Sequence, residues 1–122
     1  MKAERRILVV DDDPGIGQML TRALERHGFG VDATTSADEA LEMAGRTSYD
    51  AALVDLVMPG RDGADLAQSL RRLLPGLPIG LLTGYGNSPL IPTFERSGMA
   101  VFKKPILIQE LVEFLQREIG DQ

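Results

Sequence analysis

Asp11, Asp12, Asp55, Thr83 and Lys104 are the residues of this chain whose types and spacing could carry out chemistry. Asp11-Asp12-Asp13 follows the apolar run Ile7 to Val10, and Asp55 follows the equally apolar Ala51 to Val54. Carboxylates gathered in one place repel one another and resist joint ionisation when buried. A hard divalent cation resolves that conflict: magnesium prefers oxygen ligands, keeps several waters, and is commonly held by one or two carboxylates plus a phosphate. Such an ion also neutralises charge on a phosphoryl group while a further carboxylate attacks phosphorus. A lysine supplies a point charge for one phosphate oxygen, and a threonine hydroxyl donates to another.

Each residue taken singly also has a plainer reading. An acidic triplet is usually a solvated turn, and Asp13 before Pro14 is a good helix cap. A register that uses Asp12 and Asp13 as the acidic pair is the alternative to Asp11 and Asp12. Asp55 could be a turn former at a strand end, Thr83 a buried β-branched strand residue, and Lys103-Lys104 a surface pair in which only the adjacent Pro105 hints at which lysine turns inward.

What decides between these readings is the set of elements that would place the residues. Ile7 to Val10 is short and wholly apolar, as in a strand buried on both faces of a parallel sheet. Ile16, Met19, Leu20, Ala23 and Leu24 recur at helical spacing until His27-Gly28. Phe29 to Thr34 is a second strand, and Ser36 with Glu39 forms a capping box for a helix carrying Ala37, Ala40, Leu41 and Ala44. Ala51 to Val54 is the third strand; Asp62 caps a helix through Leu66, Leu70, Leu73 and Leu74. Pro78 to Leu82 and Met99 to Phe102 are the remaining strands, and Ile106 to Ile119 the last amphipathic helix. Strands alternating with helices over this length predict an α/β fold, one parallel sheet covered on both faces. Ligands of such sheets bind outside the carboxyl ends of the strands, and Asp11, Asp12, Asp55, Thr83 and Lys104 all fall just past predicted strand ends.

Bulk properties narrow the function. The 122 residues fit one domain, 1–122, and the 43% hydrophobic and 25% charged content is that of a globular chain. With 18 acids against 13 bases the net charge is −5, which disfavours direct nucleic acid binding. There are no cysteines, so disulfides and thiolate metal sites are excluded. The apolar run behind the basic opening is too short for a signal peptide, and a spanning helix needs roughly 20 apolar residues. A cytoplasmic location away from the membrane is therefore expected.

At Asp55 the sequence resembles a known family. Leu53 to Gly63, reading Leu-Val-Asp-Leu-Val-Met-Pro-Gly-Arg-Asp-Gly, closely resembles the phosphoacceptor segment of response-regulator receiver domains. Ile7 to Pro14 resembles their acidic opening, and Leu81 to Gly84 and Lys103-Lys104-Pro105 their later segments, all in order at family-like spacing. The resemblance implies a flavodoxin-like, doubly wound, five-stranded sheet of order 2-1-3-4-5. It implies that Asp55 is the phosphorylated nucleophile. It further implies that Asp12 binds Mg2+ directly, Asp11 mainly through water, and Asp55 and the Val57 carbonyl complete the ligands. Thr83 and Lys104 would then contact the phosphoryl group, and a histidine kinase or phosphotransfer protein would be the donor. Such a domain is a switch rather than an enzyme, acting only on its own aspartate. Family members often pair through the region corresponding to residues 84–119, which would be the face for a homodimer; the sequence leaves the oligomeric state open.

The sequence departs from the family pattern in three places. Val101 stands where the family usually carries Tyr or Phe, and Phe102 should face the other way. Pro89 and Pro92 interrupt the fourth helical segment; a proline inside a helix costs roughly 3 kcal/mol. The expectation is a loop through about Pro89 and a short helix starting near Pro92. Val57 and Tyr85, two residues after Asp55 and Thr83, offer no carboxylate or amide to orient water, so slow phosphate loss is expected. Two rival readings are a receiver-like interaction module that is not phosphorylated and a carboxylate-nucleophile hydrolase, for which the chain offers no separate general acid or substrate cap.

Overall fold

The computed structural model describes residues 4–56, 63–84 and 91–120. Its elements alternate without exception: β1 Arg6–Val10, α1 Pro14–Glu25, β2 Gly30–Thr34, α2 Ala37–Arg46, β3 Ala51–Asp55, α3 Gly63–Leu73, β4 Ile79–Thr83, α4 Ile91–Arg96, β5 Ala100–Lys103 and α5 Ile108–Ile119. The strands form one parallel sheet of order β2-β1-β3-β4-β5, the order implied by the resemblance.

The period-2 alternation of the buried strands divides the core in two. Leu8, Val10, Ala52, Val54, Ile79 and Leu81 pack on one face against α2, α3 and α4. Ile7, Val9, Ala51, Leu53 and Leu82 pack on the other against α1 and α5. Every one of these strand residues is fully buried, so truncating any of the leucines to alanine should cost about 2–5 kcal/mol. Both faces are apolar because both are covered by helices, which is why β1 and β3 read as unbroken apolar runs.

The caps follow the sequence closely. Asp13 Oδ1 accepts from the Gly15 N–H at 2.8 Å, with Pro14 at the first position of α1. Gly28 has φ +90°, the left-handed conformation that lets the chain turn back toward β2. At α2 the Ser36 hydroxyl accepts from the Glu39 N–H at 3.1 Å, but the return half of the expected capping box is rerouted. The Thr34 hydroxyl donates to Glu39 Oε1 and accepts from the Ser36 N–H, so Thr34 stands between the two halves.

Several boundaries differ from the sequence expectation. β2 starts at Gly30, because the Phe29 N–H is spent on the Leu24 carbonyl at the end of α1. β5 runs Ala100–Lys103, one residue later than expected, and α5 begins at Ile108 with Leu107 exposed before it. Leu73 is exposed rather than part of the buried stripe of α3. The short helix expected near Pro92 is α4, in which Pro92 is the second residue. Asp62 and the loop through Pro89 lie outside the described residues.

Candidate functional site

Two strand ends bring the acidic residues together. β1 and β3 are neighbours in register, Val10 opposite Val54, so the residues that follow, Asp11 and Asp55, emerge side by side at the carboxyl edge. Asp11, Asp12 and Asp55 each offer a carboxylate oxygen, and these oxygens lie within 4.8 Å of one another. Asp11 and Asp55 are buried while Asp12 is exposed at the mouth. Of the two registers open in the sequence, the structure thus groups Asp11 and Asp12 with Asp55; Asp13 is committed to capping α1.

Lys104 supplies the opposing charge. Its Nζ lies 3.2 Å from Asp11 Oδ2 and 3.5 Å from Asp55 Oδ1, bridging the two buried carboxylates, while Lys103 points to solvent. Partial burial lowers the Lys104 pKa, but the charges of Asp11 and Asp55 outweigh it and the net displacement is upward. The ammonium therefore stays charged in the pocket. Its backbone is held by a 2.8 Å hydrogen bond from the Lys104 N–H to the Thr83 carbonyl, and the Lys104–Pro105 peptide is cis.

Strand alternation sorts the remaining groups. Asp11, Asp55 and Lys104 continue the parity of Val9, Leu53 and Phe102, the α1/α5 face. Thr83 continues the parity of Leu81 and is fully buried on the side of α2, α3 and α4, the face that Val101 shares. Phe102 faces the other way, as expected, its ring 5.4 Å from that of Phe114 in an edge-to-face pair. Gly80 makes room for that pair: a Cβ there would come within 3.0 Å of the Phe102 ring. Val57 and Tyr85 lie outside the described residues.

Two supporting features were not assigned from sequence. The Asp11 N–H donates to the Thr34 carbonyl at 3.2 Å, which fixes the acidic turn to the end of β2. No local pattern marks this contact; it becomes visible only once β2 is placed beside β1, with Val10 opposite Thr34. The second is Gly63. A Cβ there would lie 1.9 Å from the Asp55 carbonyl oxygen, so the start of α3 is packed against the backbone of Asp55 itself.

The donor set fits a hard cation. All three converging acids offer oxygen only, the chemistry magnesium prefers. Asp11 Oδ1 accepts from the Asp13 N–H at 2.9 Å, whereas buried Asp11 Oδ2 has no aligned hydrogen-bond donor and faces only the Lys104 charge among the described residues. A buried carboxylate oxygen left in that condition is costly unless something positive completes it.

A doubly wound parallel sheet with a lysine-bridged carboxylate pocket at its carboxyl rim defines a class of small α/β domains, and comparison with known proteins makes the class specific. Residues 7–116 match the family model described as response regulator receiver domain. Response regulator MprA of Mycobacterium leprae (strain TN) is 34% identical over 108 residues, 88% of this chain and 47% of that protein. Transcriptional regulatory protein ResD of Bacillus subtilis (strain 168) is 34% identical over 110 residues, 89% of this chain and 45% of that protein. Among solved structures, a CheY-like receiver domain protein from Methanospirillum hungatei JF-1 superposes with TM-score 0.87 at 28% identity, over 94% of this chain and 93% of that one. TrrA of Thermotoga maritima, solved in complex with Mg2+ and BeF, gives 0.84 at 29% identity, over 94% and 99%.

The chain belongs to the response regulator receiver domains of two-component signalling. It spans about half the length of the curated relatives quoted above. Among the described residues no helix is long and apolar enough to cross a membrane.

Proposed function

We propose that this domain is a phosphorylation switch in which Asp55 accepts a phosphoryl group, in the presence of Mg2+, from a phosphohistidine of a histidine kinase or phosphotransfer protein. The observation that carries the reading is the convergence of Asp11, Asp12 and Asp55 within 4.8 Å, with the Lys104 ammonium 3.5 Å from Asp55. The Mg2+–BeF complex of the TrrA relative supports the choice of ion.

In this reading a carboxylate oxygen of Asp55 forms the bond to phosphorus as the phosphorus–nitrogen bond of the donor breaks. The electron pair leaves with the imidazole nitrogen. Asp11 and Asp12 would hold the cation with Asp55, Asp12 directly and Asp11 mainly through water, and the Val57 carbonyl would complete the protein ligands. When bound, magnesium supplies positive charge that offsets the phosphoryl oxygens. Lys104 shifts from bridging two carboxylates to pairing with a phosphoryl oxygen, a point charge already in place. Thr83, on the other parity, donates its hydroxyl to a second oxygen. Because Thr83 shares its face with Val101 and α4, engagement there transmits the change to that side of the sheet.

The domain would act on its own aspartate and turn over no free substrate. Its partners would be the phosphodonor protein and a second copy or output module meeting the surface formed by residues 84–119, in the cytoplasm and without direct nucleic acid contact. The test is incubation with acetyl phosphate and Mg2+ followed by intact-mass measurement. Wild type should gain the mass of one phosphoryl group, and Asp55→Asn should gain none. Equal labelling of Asp55→Asn, or labelling undiminished by chelation of the metal, would overturn the assignment.

A further inference from the structure

A second feature lies away from the acidic pocket, between α3 and α4. A crevice of about 270 Å³ opens there, with Gln68, Arg71 and Arg72 along one wall, Ser97 on the other, and Phe94 and Met99 beneath. Its lining contains no acidic side chain, in a chain whose net charge is −5. Phe94 and Met99 are each only 5% exposed, so the floor is apolar and continuous with the core.

Arg71 is the unusual member. It is half-buried, and its Nη1 donates to the Ser97 carbonyl at the end of α4. Its Nε is buried and has no hydrogen-bond partner. No carboxylate pairs with Arg71 or with Arg72, whose Nη2 contacts only the Ser69 hydroxyl at 3.3 Å among the described residues. A third cation, Arg96, stands on α4 next to the rim residue Thr93, at 3.5 Å. A partly desolvated guanidinium without a counter-ion among the described residues is a condition that proteins ordinarily avoid. A carboxylate is the group that would relieve it, since it accepts from a guanidinium with matching planar geometry.

We propose that the α3–α4 crevice binds an acidic peptide segment of a partner protein, a carboxylate seating on Arg71 and Arg72 and an adjacent apolar side chain resting on Phe94 and Met99. Charge complementarity selects this occupant. The positive crevice on an otherwise acidic domain attracts a segment that the rest of the surface repels. The volume admits one or two side chains, so recognition is of a short segment.

The site is independent of phosphorylation chemistry, and its test can be run on the full chain without a phosphodonor. The probe is an amidated peptide alternating glutamate and leucine, titrated into isotope-labelled protein, with the glutamine counterpart as control. Shifts should appear at the Phe94, Met99 and Ser97 resonances and at the Arg71 side chain, and should weaken as salt is raised. Arg71→Gln should weaken binding on the order of tenfold, as for a hydrogen bond to a charged group. Arg71 also ties down α4, so exposed Arg72→Gln is the companion variant. It should weaken binding roughly fivefold, the value of an exposed ion pair, with the fold unchanged. Equal binding of the glutamine peptide, shifts confined to other surfaces, or no loss in Arg72→Gln would overturn the proposal. The same would follow if inorganic phosphate or a single-stranded oligonucleotide reproduced the shifts at equal concentration, or if the labelled protein alone self-associated through this face.

Discussion

Lys104 and Gly63 show how single residues set the state of the pocket. The three acids are compatible only because a positive charge lies among them, so altering the charge balance should change stability in opposite directions. Asp55→Asn removes one member of a crowded acidic group and should raise stability without divalent cation by about 1 kcal/mol, read from urea unfolding in chelator. Lys104→Met should lower it, because buried Asp11 and Asp55 would then face each other without compensation. Gly63→Ala tests a different contact. Its Cβ would overlap the Asp55 carbonyl oxygen, and backbone cannot move aside cheaply. An overpacking penalty of about 1–3 kcal/mol and slower labelling of Asp55 are expected, the latter because the backbone of Asp55 itself must shift. Asp11, Asp12, Asp55, Thr83 and Lys104 were legible as candidates because carboxylate, hydroxyl and ammonium at strand ends limit the chemistry. What was not legible was the division of labour: Pro105 marked Lys104 rather than Lys103, but that Lys104 bridges both Asp11 and Asp55 depends on where strand parity places its side chain.

At the scale of elements, β2 is the edge strand next to the acidic turn, and a polar cluster fastens it. Asp32 accepts from Arg6 Nε at 3.0 Å and Nη2 at 2.9 Å, and from the Tyr49 hydroxyl at 2.8 Å. The hydrogen bond from Arg6 holds the Asp32 carboxyl below its usual range, against burial, with Tyr49 adding to the effect. A depressed carboxylate stabilises the fold above the unfolded value near 3.8 and loses that contribution as pH falls below it. Burial first, then the bond to Asp32, pushes the Tyr49 hydroxyl up to about 12. Its contribution is present below pH 10 and is lost between about 10 and 12. Asp32→Asn should therefore flatten the acid limb of a stability–pH curve, and Tyr49→Phe the alkaline limb, each compared with wild type by thermal unfolding. This cluster was not legible, because its three residues are far apart in sequence and none carries a motif. The alternation of strands and helices was legible, since buried parallel strands read as short apolar runs and the helices as 3.6-residue stripes. Ends were less so. Leu73 and Leu107 fit helical stripes yet are exposed: at the end of α3 Leu74 rather than Leu73 packs on the core, and Leu107 lies before α5 has begun. Pro92 carried real information: α4 as described holds it as the second residue.

At the scale of the whole molecule, cation binding and folding share one equilibrium. An ion that binds only the assembled acidic rim must stabilise the folded state by RT ln(1 + [L]/Kd), about 2.7 kcal/mol at a hundredfold excess over Kd. Thermal unfolding with increasing Mg2+ should show that rise, and Asp12→Ala should abolish it while leaving the metal-free protein folded, because Asp12 is exposed. The sheet order explains why so distant a set of residues can act as one: β1, β3, β4 and β5 are adjacent, and their carboxyl ends deliver Asp11, Asp55, Thr83 and Lys104 to one edge. The central claim is that this edge makes Asp55 the acceptor of a phosphoryl group. The most direct test is to treat the protein with acetyl phosphate and Mg2+, reduce it with borohydride, and sequence the peptides by mass spectrometry. An acyl phosphate is reduced to an alcohol, so the account predicts homoserine at position 55 and at no other aspartate, and only when Mg2+ is present. Homoserine at position 11 or 12 instead, or an unmodified position 55 in protein that has gained phosphate, would contradict it.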